Sequence, residues 1–271
     1  MRVEAHAKVN LTLEVFGMRV DGYHALRSVV MPISLADTLE IDEAEEIACD
    51  TGYADDLCVK AAKVLEPSRG ARIRVTKRIP VGGGLGGGSA DAAATLIALN
   101  KLWGLGKKRE ELAEIGAQVG SDVPALVLGG AVLMEGRGEC VSRLPAPVLP
   151  LNMVLVSPGV ESSTREVYAR CTPRSFDGHS PTVEMIEALS CGDLRRIAAA
   201  LANDLQEAAV RLHPGIADVL VSLRAAGALG AMMSGSGSSA FGLVADRVAA
   251  ERLAAEMEKR GYSAWAVKSV V

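Results

Sequence analysis

Aromatic side chains are scarce in this chain: three Phe, two Trp and four Tyr among 271 residues. With so few, core packing is a weak demand on any one of them. Cysteine is sparse and unpatterned. The five residues, at 49, 58, 140, 171 and 191, form no CxxC pair, metal-ligand spacing or disulfide framework, and are expected as reduced thiols. There is no Lys/Arg run to track a nucleic-acid backbone, and 29 basic against 33 acidic residues leave a formal charge of -4, which argues against a nucleic-acid partner. No apolar stretch is long enough for a bilayer. The longest, Val123 to Met134, contains Pro124, Gly129 and Gly130 and reads as core, so no membrane partner is expected. The opening MRVEAHAKVN carries charges where a secretory leader needs a continuous apolar segment, and a cytoplasmic location is expected.

What is present is the composition of an ordinary folded protein, 49% apolar and 23% charged, long enough for one large domain or two modest ones. The first fifteen residues alternate with period two. Ala5, Ala7, Val9, Leu11, Leu13 and Val15 lie on one face and His6, Lys8, Asn10, Thr12 and Glu14 on the other, the pattern of a half-buried strand. A turn at Asp21-Gly22 and strands at Ser28 to Met31, Thr38 to Ile41 and Arg72 to Lys77 follow. The period then changes. Ala92, Leu96, Leu99 and Trp103 share a helical face, with Ser89 as expected cap and Gly104 as stop. A helix over roughly 109 to 118, one opened by Pro124 and a strand at Ala131 to Met134 complete this half.

The segment LPAPVLPLN holds three of the eleven prolines and reads as a linker, dividing the chain into residues 1–147 and 148–271. The second half reads as strand (153 to 156), several helices between about 163 and 226, strands (231 to 233 and 240 to 244), helix (246 to 259) and strand (263 to 268). Gly227 and Gly261 stand where helix stops are needed. Paired strands flanked by helices indicate an α+β layout of the ferredoxin-like kind with helices inserted.

The stretch IPVGGGLGGGSADAA puts six glycines into seven positions between a strand and a helix. Without Cβ atoms the backbone N–H groups can approach an anion, and the following helix adds unpaired N–H groups and its positive dipole end, so phosphate is the natural guest. A Walker A loop needs Lys followed by Ser or Thr after the glycines, which is lacking. Gly82, Gly84 and Gly87 do satisfy GxGxxG, which keeps an NAD-dependent oxidoreductase as the alternative, although no regular series of βαβ units surrounds the motif. A non-catalytic nucleotide-binding module is a third reading. A reacting base would decide against it, and Asp122 in GSDVP and Lys8 in AKVN are the candidates. By residue type alone, Asp122 equally suits a helix start and Lys8 a solvated strand face.

Three separated motifs, AKVNLTLEVFG, PVGGGLGGGSADAA and SGSGSSAF, resemble in order and spacing the three signatures of the GHMP kinases, the superfamily of galactokinase, homoserine kinase, mevalonate kinase and phosphomevalonate kinase. RVDGYHAL, the tripled glycines about Leu85, GSDVP and NDLQ at 203 to 206 resemble the branch that phosphorylates the 2-hydroxyl of 4-diphosphocytidyl-2-C-methyl-D-erythritol on the non-mevalonate route to isoprenoid precursors. The likeness runs from about residue 4 to 244. It implies an ATP-dependent phosphotransferase and the α+β two-domain GHMP kinase fold. The N-terminal half is of the ribosomal-protein-S-five domain-two type and the C-terminal half ferredoxin-like, with the substrates in the cleft between.

The resemblance also implies roles. Asp122 and Lys8 face the acceptor hydroxyl, the carboxylate as base and the ammonium lowering the hydroxyl's pKa. Pro80, Gly82, Gly83, Gly84, Leu85, Gly86, Gly87, Gly88 and Ser89 hold ATP. Asn10 holds the erythritol hydroxyls, His24 the cytosine edge, and Tyr23 and Tyr168 the two faces of the base, with Thr164 beside them. Gly235, Ser236 and Gly237 approach the substrate phosphates and steady the first loop. Mg²⁺ is expected with ATP, with Ser89 the one ligand indicated. Asp91 departs from the Asn or Ser common at its place in the family, setting an extra negative charge near phosphates. Lys77, before the loop, is expected at the edge of the adenine pocket.

Overall fold

The computed structural model describes residues 1–53, 55–175 and 178–270. The N-terminal half runs β1 (Arg2–Met18), β2 (His24–Ala44), β3 (Ala48–Cys49), α1 (Leu57–Leu65), β4 (Gly70–Thr76), α2 (Gly87–Leu102), α3 (Arg109–Gly116), α4 (Val123–Leu128), β5 (Val132–Gly136) and β6 (Cys140–Arg143). After residues 144–151, which carry neither helix nor strand, come β7 (Asn152–Ser157), α5 (Thr164–Arg170), α6 (Pro181–Cys191), α7 (Leu194–Ala199), β8 (Ala202–Asn203), α8 (Gln206–Leu212), α9 (Gly215–Ala225), β9 (Gly230–Met233), β10 (Ala240–Val244), α10 (Arg247–Lys259) and β11 (Ser263–Lys268).

Two sheets organise these elements. The first has the order β3-β4-β2-β1-β8, with β5 also paired to β2 and β6 to β5. The second has the order β11-β7-β10-β9, with every pair antiparallel. Counted within its own half, that order is 4-1-3-2 with helices between the first and second and the third and fourth strands, the ferredoxin-like arrangement. Among the described residues the central pairs of the first sheet, β1 with β2 and β2 with β4, are antiparallel as well. A dinucleotide-binding fold needs a parallel sheet at its glycine turn, so the oxidoreductase alternative loses its scaffold.

With few aromatics available, the core is built from small and branched aliphatics. Helix α2 buries Ala90, Ala92, Ala93, Ala94, Leu96, Ala98 and Leu99, and these short side chains let its backbone lie close over β1 and β2. Among the described residues Phe241 on β10 is the largest fully buried side chain.

Two expectations about the first sheet need correction. The strands expected at Ser28 to Met31 and Thr38 to Ile41 are one continuous β2 of 21 residues. Pro32 sits inside it opposite Lys8, where a residue without N–H leaves the ladder incomplete. The polar face of β1, expected to be solvated, is buried: Lys8, Asn10, Thr12 and Glu14 are each 4% exposed or less. At Thr12 and Glu14 the cause is the second half. Thr12 Oγ1 lies 2.8 Å from Thr182 Oγ1 of α6, Glu14 accepts from Ser180 Oγ at 2.9 Å, and β8 adds itself to β1 in parallel at Thr12 and Leu13.

The joint is fastened by Asp204, just after β8. Its Oδ2 accepts the Val15 N–H at 2.9 Å and the Arg174 Nε–H at 3.1 Å, and Oδ1 accepts from Arg174 Nη2 at 2.8 Å. These are charge-assisted bonds at a side chain only 15% exposed. Asp204→Ala is expected to lower unfolding stability by about 2 kcal/mol in urea titrations. A change under about 0.5 kcal/mol, the scale of an unengaged surface substitution, would show that the joint does not depend on it.

Candidate active site

The glycine loop leaves β4 through Lys77, Arg78 and Ile79, and this approach is anchored on one buried carboxylate. Asp37 of β2, fully buried, accepts the N–H groups of Arg78 at 2.5 Å and Ile79 at 2.8 Å through Oδ1, and Lys77 Nζ at 2.5 Å through Oδ2. Lys77 Nζ also donates to Asp91 Oδ2 at 2.7 Å. Lys77 is therefore committed to two carboxylates and braces the loop against α2. The charge of Asp91 is answered locally. Its other oxygen, Oδ1, is buried without a hydrogen-bond partner. Burial pushes the Asp91 carboxyl up to about 7 against the pull of Lys77, with Asp37 adding to the rise.

Helix α2 opens at Gly87, with Gly86 in the left-handed region at its N-cap and no side-chain cap. Ser89 is therefore not the cap. It lies inside the first turn, whose N–H groups remain available to an anion. Leu85 also differs from expectation: its side chain is core, 1% exposed, and its carbonyl accepts the Lys8 N–H at 3.0 Å. That bond ties the glycine loop to β1.

Lys8 lies beneath this loop. Its Nζ donates to Asn10 Oδ1 at 2.6 Å and stands 3.4 Å from Asp122 Oδ2. Asn10 Nδ2 donates to Ser28 Oγ at 2.8 Å, which in turn donates to the Thr12 carbonyl at 2.5 Å, so the amide's orientation is set by bonds on both sides. Register shifts flank Lys8 and Asn10 along β1, as bulges do where a strand must re-aim side chains. Asp122 occupies the N-cap position of α4 but makes no cap bond there; the helix-start reading gives way to the pairing with Lys8. A side chain at Gly86 would lie 3.2 Å from Lys8 Cε and 3.4 Å from Asp122 Oδ2, so glycine here keeps the pair open to a ligand.

The second half closes the other side. Ser234 Oγ donates to the Gly84 carbonyl at 3.1 Å, the Ser239 N–H to the Gly83 carbonyl at 3.1 Å, and the Ser162 N–H to the Gly82 carbonyl at 3.2 Å. A Cβ on Gly84 would lie 2.2 Å from the Ser234 carbonyl oxygen, a contact only glycine permits. The loop carrying Gly235, Ser236 and Gly237 is held from below by Asn203, whose Nδ2 donates to the carbonyls of Met233 and Gly235 at 2.9 and 2.8 Å. Gln206 Oε1 accepts the Met233 N–H at 3.0 Å. Thr164 and Ser236 hydroxyls meet at 2.8 Å. His24 and Tyr168 rings stand 5.5 Å apart, tilted by 35°, while Tyr23 is exposed with the Arg137 guanidinium 5.3 Å over its ring. Burial and the nearby Asp122 charge raise the Tyr168 phenol, which stays neutral.

Every residue singled out from the sequence lines one cleft of about 1120 Å³. The structure adds residues that sequence reasoning missed. Arg137 and Arg165 bring guanidiniums to the cleft, and Thr51, Tyr53, Asp55, Asp56, Leu57 and Cys58 form part of its wall, Leu57 facing Gly88. Isolated arginines in unremarkable segments gave no signal, and the wall comes from the connection before α1 and that helix's first two residues, Leu57 and Cys58, where no motif stands.

The fold is that of a GHMP kinase. The chain matches the GHMP kinases N terminal domain over residues 56–130 and the GHMP kinases C terminal domain over residues 185–263. The 4-diphosphocytidyl-2-C-methyl-D-erythritol kinase of Symbiobacterium thermophilum is 42% identical, the match covering 100% of both chains. Its counterpart from Pelotomaculum thermopropionicum is 43% identical over 94% of this chain and 93% of that one. A crystal structure of 4-(cytidine 5'-diphospho)-2C-methyl-D-erythritol kinase superposes with a TM-score of 0.85 at 35% identity, covering 100% of both chains. The chain belongs to the 4-diphosphocytidyl-2-C-methyl-D-erythritol kinase family.

The raised Asp91 carboxyl generates a prediction about stability. The fold holds its proton more tightly than the unfolded chain, so the stabilisation that proton brings is full below 3.8 and lost as pH rises through about 7. Melting temperatures measured between about pH 5 and about pH 8 are expected to fall more steeply for the wild type than for Asp91→Asn. Parallel curves would remove Asp91 as the titrating group.

Proposed function

We propose that this protein transfers the γ-phosphoryl group of ATP to the 2-hydroxyl of 4-diphosphocytidyl-2-C-methyl-D-erythritol. The observation that carries the reading is the Lys8–Asp122 pair, 3.4 Å apart beneath Gly86 and facing the same cleft as the glycine loop and the start of α2. The acceptor is a tertiary alcohol, too weak an acid to ionise at neutral pH. Asp122 accepts its proton as the oxygen attacks the γ-phosphorus and ADP departs. Lys8, held by Asn10 and Asp122, places a positive charge where the alkoxide develops, in surroundings that exclude water and strengthen the attraction.

The remaining roles follow from position. The N–H groups of the glycine loop and of the first turn of α2 take the ATP phosphates. Cytosine lies at the His24, Tyr23 and Tyr168 cluster, the histidine reading its edge and the tyrosines its faces, with Thr164 alongside. Arg137 and Arg165 answer the charge of the diphosphate. Gly235, Ser236 and Gly237 sit between these regions, and residues 1–147 and 148–271 each contribute one wall. The nucleoside of ATP lies toward Tyr53 and Leu57, which line the cleft where Leu57 faces Gly88.

The family's use of Mg²⁺ fits the donors present. Ser89 and Asp91 offer hard oxygens at the start of α2, and Asp91 Oδ1 is a buried acceptor without a partner. These two residues would hold the ion, which when bound neutralises charge on the transferring phosphates.

Asp122→Asn is expected to fold and bind both substrates while turnover in a coupled ADP-release assay drops by about 10²- to 10⁴-fold. Near-normal turnover would remove it as the base. His24→Ala is expected to raise KM for the cytidylated substrate and leave that for ATP unchanged; equal losses in both would argue against a cytosine contact. Run beside homoserine, mevalonate and galactose, the wild-type assay tests the acceptor itself.

A further inference from the structure

Two of the five cysteines meet at the wall of the cleft. Cys49 ends β3 and Cys58 lies in the first turn of α1, with Asp56 at that helix's N-cap. One ligand atom from each, two Sγ and a carboxylate oxygen, lie within 4.8 Å of one another. Nothing in the chain spacing announces this. Nine positions separate the cysteines, and the expectation of five unengaged thiols rested on that spacing. The fold creates the group because β3 is fixed in parallel to β4 at Cys49↔Ile73 and α1 is packed on α2. Asp56 is held too: Oδ1 accepts the N–H groups of Cys58 and Val59 at 2.7 and 2.9 Å, and Oδ2 accepts the Thr51 hydroxyl.

The donor set is chemically selective. Two thiolates and one carboxylate suit a borderline-soft ion, whereas Mg²⁺ takes oxygen alone. With Zn–S bonds of about 2.3 Å, two sulfurs on one ion lie no more than about 4.6 Å apart, so the present spacing needs only side-chain rotation to close. Cys58 is buried and Cys49 half-buried, while Asp56 and Cys58 line the cleft, which is the entry path.

We propose that Cys49, Asp56 and Cys58 bind one zinc ion at the wall of the cleft beside the start of α2. The Asp56 Oδ1 cap of α1 persists while Oδ2 turns from Thr51 to the metal, and a water completes the tetrahedron. The bound ion ties α1 to β3 and fixes the wall formed by Asp55, Asp56 and Leu57, the last of which faces Gly88. The assignment stands whether or not the protein phosphorylates the substrate named above.

The test uses the full chain, reduced with a phosphine, titrated first with Co²⁺ and then with Zn²⁺ against a chromophoric chelator. One equivalent of Co²⁺ is expected to give a thiolate-to-metal charge-transfer band that Zn²⁺ abolishes. Cys49→Ser and Cys58→Ser should each remove the band and weaken Zn²⁺ by at least about tenfold, the loss that even an outer partner of a ligand produces. Asp56→Asn should weaken the ion while retaining the cap, and Cys140→Ser with Cys191→Ser should change nothing. Circular dichroism checks each fold; if Cys58→Ser unfolds, the less buried Cys49→Ser carries the comparison. The proposal fails if the band is absent or survives Cys49→Ser. It fails equally if the band follows Cys140 or Cys191, or if the pair is recovered as a disulfide, two hydrogens lighter, that takes up no metal after reduction.

Discussion

A lysine ammonium held almost out of water must have its negative partners held as firmly as itself, and the architecture around Lys8 is arranged to meet that demand. The desolvation of a buried charge is repaid only by close, well-oriented partners. Asn10 and Asp122 are those partners, one from the same strand and one from the start of α4. The Lys8 N–H donates to the Leu85 carbonyl, which fixes the glycine loop above the ammonium. Glycine at 86 keeps the space over the pair open. Moving any one of these pieces would leave a charge or a polar backbone group unpaired.

The same logic extends outward through the other buried charges. Asp37, Lys77 and Asp91 secure the approach to the loop and the start of α2. Asp204, Arg174 and Glu14 secure the place where the second half adds a strand to the first sheet. In each case an ionic group sits where two elements distant in sequence meet. Apolar burial alone tolerates sliding between such elements, whereas directed hydrogen bonds select one register. The loop at 234–239 depends on this. Its bonds to the carbonyls of Gly83 and Gly84 form only if the two halves approach at one distance.

Much of the site was legible because phosphate binding leaves a local signature. A strand, a cluster of glycines and a helix in succession state their chemistry within fifteen residues, and Lys8, Asp122 and the Ser-Gly loop lie in comparably compact motifs. What escaped was of another kind. The polar face of β1 alternates as a solvated face would, and nothing within the strand reports that α6 and β8 cover it. Lys77, expected at an adenine pocket, is committed to Asp37 and Asp91, the first of them 40 residues away. Ser89 has the composition of a helix cap, yet Gly86 takes that position because a left-handed residue lets the chain turn into α2.

The amino-acid sequence by itself determined most of the longer strands and helices, the phosphate loop and the residue types available for proton transfer, since each is written in neighbours a few positions apart. Only the tertiary structure decided which polar residues are buried, which charges neutralise one another and which thiols meet. Those outcomes depend on distances between segments far apart in the chain, set by the register of β1 against β2 and by how the second half closes over them. A period of two or of 3.6 carries no information about either.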